Sequence, residues 1–166
     1  MEEEVILVDA FDNEIGVMEK LEAHRGAFLH RAFSVFIFDS QNRLLLQQRA
    51  HEKYHSGDLF TNTCCSHPRP GEDTLAAAKR RLAEEMGISA ELTFRTTFLY
   101  RSEFENGLTE HELDHIFEGR SDEQPTPDPH EVQSFCWLSV PEVKSLIKES
   151  PERFTTWFRI AIEKFY

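Results

Sequence analysis

Three short stretches of the 166-residue chain carry side chains able to move protons or bind metal ions. The first is TNTCCSHP, Thr61 to Pro68. On an extended backbone side chains alternate, so Cys65 and His67 share one face with Thr61 and Thr63, while Cys64 points the other way with Asn62. A thiol and an imidazole so placed can exchange protons. A disulfide between Cys64 and Cys65 is disfavoured, because neighbours on a strand face apart. The total of three cysteines, with Cys136 the third, argues against a disulfide framework, and the absence of a CxxC pair against a closed zinc knuckle. A reactive thiol and a pair of small buried residues both remain open.

The second stretch is GLTEHELDHIF, Gly107 to Phe117. As a strand it projects Glu110 and Glu112 from one face and His111 from the other. Carboxylates so placed repel each other unless a cation lies between them or one is protonated. A water-exposed edge strand is the commoner source of such a pattern, but Ile116 and Phe117 carry this segment toward the core. The third is AHRGAFLHRAF, which brings His24 and His30 to the start of an apolar run. Together with His67 and the two glutamates they form a mixed nitrogen and oxygen set suited to zinc, manganese or iron. Spacing alone does not bring them together.

The elements that must position these groups are legible in outline. Strands are expected at Val5–Ala10 and Glu14–Met18, followed by the apolar run LHRAFSVFIFD, whose hydrophobicity at both parities predicts a strand covered on both faces. Gln41 and Asn42 mark a turn into RLLLQQRA, forming a hairpin-like pair. Asp73 to Gly87 is the clearest helix, capped at Asp73 or Thr74, with Leu75, Ala78, Leu82 and Met86 as an apolar stripe and Gly87 as its stop. On its outer side Arg81 and Glu85 have the spacing of a surface ion pair. Further strands are expected at 92–104, 108–119 and 131–138, with the Pro-rich stretch 121–131 as a loop. Helices at Val140–Glu149 and Pro151–Phe165 close the chain. Strands interspersed with helices read as a layered α/β or α+β domain, one unit over residues 1–166, with a mixed central sheet flanked by helices.

Composition bounds the partners. The chain is 40% hydrophobic and 29% charged, as globular proteins are, and has no apolar stretch long enough to cross a bilayer. The acidic opening MEEEVILVDA is unlike a signal peptide, so a cytoplasmic location is expected. A formal net charge of −12 excludes the electrostatic attraction that drives nucleic-acid and anionic-membrane binding. A small anionic substrate then requires a local cluster of cations or a metal.

The segment SHPRPGEDTLAAAKRRLAEEMGI has the outline of a Nudix box, with Glu72, Arg80, Leu82, Glu84, Glu85, Gly87 and Ile88 in register. Ser66 stands where that pattern has its leading glycine and Arg81 where it has the glutamate of RE. Losing that carboxylate weakens the case for metal-activated water. It leaves a helix suited to holding a diphosphate and a magnesium ion.

Combined with NTCCSHP, LLLQQRA, LHRAFSVFIF and EHELD, these departures make the chain resemble the type I isopentenyl-diphosphate isomerases, Nudix-like enzymes, over nearly its whole length. The wording of CCSHP and EHELD leans to the eukaryotic branch. The resemblance implies a Nudix-like fold; a monomer is expected, with a dimer as the alternative. It implies one divalent cation (zinc, manganese or magnesium) held by His24, His30, His67, Glu110 and Glu112, and a magnesium ion held by Glu85 against the substrate diphosphate. It implies Lys20, Arg49, Lys53 and Arg81 around that diphosphate. Cys65 and Glu112 would be the proton-transfer pair, Tyr100 the partner of the glutamate, and Trp157 the π face toward a carbocation. A Nudix hydrolase leaves Cys65, Tyr100 and the histidines without a task. A non-catalytic binding protein leaves the thiol unexplained.

Overall fold

The computed structural model describes residues 3–166. Its centre is β3, His30–Phe38, whose apolar residues alternate between two cores. Phe33, Val35 and Ile37 pack with Ala78, Leu82 and Met86 of α2, Thr74–Met86, on one side. Phe36 and Phe38 pack on the other side with Val143 of α3, Val140–Glu149, and with Phe158 and Ile162 of α4, Thr156–Phe165. The strand is therefore covered on both faces, as its double-parity hydrophobicity predicts.

The sheet is mixed. β1, Glu4–Val8, pairs antiparallel with β2, Glu14–Glu19, and meets β3 at Leu7↔His30. β8, Thr109–Arg120, runs parallel to β3 from His30↔Glu112 to Phe38↔Arg120, and antiparallel to β7, Leu92–Glu103. β6, Cys64–Ser66, is antiparallel to β3, with Ser34↔Cys65. β4, Arg43–Arg49, joins β3 only at Phe38↔Leu44. It then leaves to pair with β5, Phe60–Thr61, and β9, Val132–Ser139, so the expected hairpin opens almost at once.

Two local features depart from expectation. Lys20–Arg25 forms a short helix, α1, that the sequence reading missed; its cap is Glu19, which accepts from the amides of Leu21 and Glu22. The closing helix is not continuous from Pro151. A single 3-10 turn, Pro151–Arg153, is followed by extended Phe154 and Thr155, where the Thr155 amide donates to the Phe60 carbonyl before α4 begins.

α2 is capped by Asp73 and stopped by Gly87 at φ 66°, a left-handed position that glycine adopts without strain. A side chain there would also meet the Thr126 carbonyl at 2.7 Å. The loop 121–131 is pinned to this helix end, with Thr126 and Asp128 amides donating to the Met86 and Glu85 carbonyls. Leu82 is fully buried between α2 and β3. Leu82→Ala is expected to lower unfolding free energy by about 2–5 kcal/mol, measured by urea denaturation.

Candidate active site

The side chains singled out in the sequence come from separate elements and gather in one region, some lining a cavity and others, His24 and His30 among them, buried behind it. α1 supplies Lys20 and His24, β3 His30, β6 Cys65, the residues just after it His67, β8 Glu110 and Glu112, and α4 Trp157. Parallel pairing sets His30 directly beside Glu112. Alternation along β8 turns Glu110, Glu112 and Asp114 inward and buries them. His111 faces the other way, and its Nδ1–H donates to the Ala27 carbonyl at 3.1 Å. β8 is thus an interior strand, not a solvated edge.

His24, His30, His67 and Glu112 each offer a ligand atom, all within 4.8 Å of one another. The Nδ1–H groups of His24 and His30 donate to the carbonyls of Lys20 (2.7 Å) and Phe28 (2.9 Å). In the neutral rings this leaves each Nε2 as a bare lone pair, the arrangement by which protein scaffolds orient metal-binding histidines. His24 Nε2 is buried without a hydrogen-bond partner. His30 and His67 direct Nε2 at Glu112 Oε2, at 3.0 and 2.7 Å. The donor set and the orphaned nitrogen fit a divalent cation.

Burial lowers the His30 pKa, but the Glu112 carboxylate outweighs it and leaves it raised, so this ring can answer the buried carboxylates with positive charge. Burial raises the Glu112 pKa and Glu110 adds to it, but contacts from His30 and His67 outweigh both and hold it low. Burial pushes His67 down to about 4, against the pull of Glu112, so its ring is neutral and free to ligate. The Tyr100 hydroxyl donates to Glu110 and Glu112, and burial together with those carboxylates raises its own pKa far above the usual.

Cys65 and Cys64 face apart, as strand alternation predicts. Cys65 lines the cavity with its sulfur 3.8 Å from Arg49 Nη1, and burial pushes its thiol up to about 12 despite that guanidinium. Cys64 is buried in the α2 core, yet its Sγ–H donates to Glu85 Oε2 at 2.7 Å. It is therefore more than filler. Glu85 and Arg81 are not a surface pair either. Glu85 is 2% exposed and Arg81 reaches Glu84 (2.8 Å), Glu131 (3.3 Å) and Glu85 (3.5 Å).

The cations gather despite the acidic whole. Lys20, Arg49, Lys53 and Arg81 all line the cavity. Lys20 pairs with Glu3 and Lys53 with Glu131, each at 2.5 Å, while Arg49 donates to the His55 carbonyl and stacks 5.3 Å from the Trp157 ring. Glu3, Tyr54, His55, Asp114 and Glu131 also belong to this neighbourhood and were missed. Asp114 follows Glu110 and Glu112 at the strand period of two, which could have marked it; the surroundings of Glu3, Tyr54, His55 and Glu131 carry no periodicity or ligand spacing. Among the described residues no helix is long and apolar enough to cross a membrane.

A family model for the NUDIX domain matches residues 28–158. A protein named isopentenyl-diphosphate Delta-isomerase from Pectobacterium atrosepticum is 53% identical over 161 residues, covering 97% of this chain and 90% of that protein. One of the same name from Burkholderia multivorans is 52% identical over 164 residues, covering 99% and 93%. Both are bacterial, whereas the motif wording leaned to the eukaryotic branch. Among solved structures, DR0079 from Deinococcus radiodurans superposes with a TM-score of 0.81 at 20% identity over 99% of each chain. That likeness establishes the fold. Taken with the converging histidines, glutamates and thiol, the near full-length identity to these relatives means that the chain belongs to the isopentenyl-diphosphate Delta-isomerase family within the Nudix fold.

Proposed function

We propose that this chain interconverts isopentenyl and dimethylallyl diphosphate by a 1,3-allylic proton shift. One proton is added to the terminal alkene carbon and another leaves the carbon on the far side of the double bond, through a tertiary carbocation, with no net change in protons. The observation that carries the reading is the shared cavity of Cys65, Glu112 and Trp157. The reaction needs an acid, a base and a dry wall that tolerates positive charge.

Cys65, kept protonated by burial, is one proton-transfer group and Glu112 is the other. Because the reaction is reversible, they exchange the parts of acid and base with direction. Tyr100 holds the glutamate in place through its hydroxyl. Trp157 presents its indole face to the cation. His24, His30, His67, Glu110 and Glu112 are the residues that would hold one divalent ion of the zinc, manganese or magnesium class, which would fix and polarise the carboxylates. Glu85 would hold a magnesium ion that offsets the charge of the diphosphate, and Lys20, Arg49, Lys53 and Arg81 would bind its oxygens. Hydrolysis is the weaker reading, because Arg81 occupies the place of a carboxylate that a Nudix hydrolase uses on its metals.

Incubation with isopentenyl diphosphate and magnesium in heavy water, followed by proton NMR, should show dimethylallyl diphosphate carrying deuterium. Phosphate or monophosphate release in its place would sink the reading. Lys53→Ala is expected to raise KM by about tenfold with a smaller change in kcat, since one charge-assisted contact to diphosphate contributes about 1.5 kcal/mol. Initial rates against substrate concentration at low salt check this.

A further inference from the structure

Glu131 has no part in the roles above, yet its carboxylate stands among the groups given to the diphosphate. It ends the loop that is pinned to α2 and directly precedes β9. One of its oxygens lies 2.5 Å from Lys53 Nζ and the other 3.3 Å from Arg81 Nη2. A single carboxylate thus spans two cations, as a phosphoryl group does with two of its oxygens. Burial raises its pKa, but Lys53 and Arg81 outweigh burial and hold it below the ordinary carboxylate value, so it is ionised at neutral pH.

The backbone beneath this side chain is fixed, but the side chain itself has somewhere to go. The Glu131 carbonyl accepts from the Ala50 amide at 2.9 Å, and its amide donates to the Asp128 carbonyl at 3.0 Å. The side chain is 25% exposed, so rotation about its own bonds carries the carboxylate into water with no change in the main chain. Both cations keep another hold when it leaves. Lys53 Nζ lies 5.9 Å from the centre of the Tyr54 ring, and Arg81 donates to Glu84 at 2.8 Å. Space makes the same demand. The cavity has a volume of about 60 Å³, whereas ligand pockets run to about 300–1,000 Å³, so a diphosphate enters only if a lining side chain yields. The carboxylate lodged between two of its cations is the group that an incoming anion repels. Lys20 is paired with Glu3 in a similar way, but that carboxylate is 71% exposed, and such pairs contribute little.

We propose that Glu131 is a positioning residue for diphosphate recognition: it sits between Lys53 and Arg81 as an internal anion, holds the two cations at the spacing a phosphoryl group requires, and is displaced when substrate binds. This rests on reading Lys20, Arg49, Lys53 and Arg81 as the diphosphate site. Substrate contacts then replace those of Glu131 and do not simply add to the free site. The cations are ordered in advance, and the displacement lowers affinity for every diphosphate, product included.

The test titrates inorganic diphosphate into the whole protein by calorimetry, without added magnesium, so that the cations alone hold it. Glu131→Gln removes the charge and keeps the shape; it is expected to tighten Kd about tenfold and to lower KM for isopentenyl diphosphate. Glu131→Asp keeps the charge and is expected to bring Kd back toward the native value. Glu91→Gln loses the same charge from an exposed side chain outside the cavity and is expected to leave Kd where it was. An unchanged or weaker Kd in Glu131→Gln, or equal tightening in Glu91→Gln, overturns the proposal. Should Glu131→Gln fail to fold, a crystal structure of the native protein with inorganic diphosphate bound decides. The Glu131 carboxylate must then lie beyond about 4 Å from both cations, and retained contacts overturn its role. Absence of diphosphate binding in native protein and variant alike overturns the site of four cations and this role with it, whereas binding without tightening removes only the role of Glu131.

Discussion

Cys65→Ala is expected to lower kcat for isomerisation by about 10²–10⁴, the range over which a positioned acid or base acts, with little change in the unfolding midpoint. The thiol lines the cavity without carrying the main core, so its loss leaves the fold intact. Cys64→Ala is the informative contrast. Its sulfur is fully buried against α2 and donates to Glu85, so the variant should be less stable by about 1 kcal/mol while keeping most of its turnover. A Cys64 variant as inactive as Cys65→Ala, yet folded by circular dichroism, would overturn the division of labour. Cys65→Ser separates proton transfer from shape: it keeps an O–H of similar size, and retention of a small but measurable rate above that of alanine would assign the thiol a proton-transfer part.

Removal of divalent metal by a chelator is expected to abolish turnover and to lower the unfolding temperature. Ion bound at a hundredfold excess over its Kd stabilises the folded chain by about 2.7 kcal/mol. Without it, Glu110 and Glu112 stay buried side by side with only histidines and Tyr100 to answer their charge. Returning zinc, manganese or magnesium one at a time and following both activity and the melting curve identifies the ion each property needs. Metal content below a tenth of an ion per chain, with activity and midpoint unchanged, would exclude a required centre.

Much of this molecule was legible from periodicity and end signals. Alternation alone separates Cys65 from Cys64 and Glu110 and Glu112 from His111, because the side-chain period of a strand is two whatever it pairs with. Double-parity hydrophobicity marked β3 as covered on both faces, and Asp73 and Gly87 bounded α2 within a residue. The short helix at Lys20 and the interruption at Phe154 and Thr155 were not legible. A six-residue helix with a glutamate cap has too few turns to show a stripe, and the break is made by Thr155 bonding to Phe60, far away in sequence.

Period tells which face a residue occupies, never which partner faces it. That His24 of α1, His30 of β3, His67 after β6 and Glu112 of β8 come together follows from parallel pairing of β3 with β8 and from the curl that closes β6 against them. The same tertiary pairings bury Arg81 and Glu85, which helical spacing alone would leave at the surface, and set Cys64 against Glu85. His55 and Glu131 reach the cavity from loops, where no periodicity constrains direction, and only the packing of Phe104, Trp157, Lys53 and Arg81 around them determines where they point.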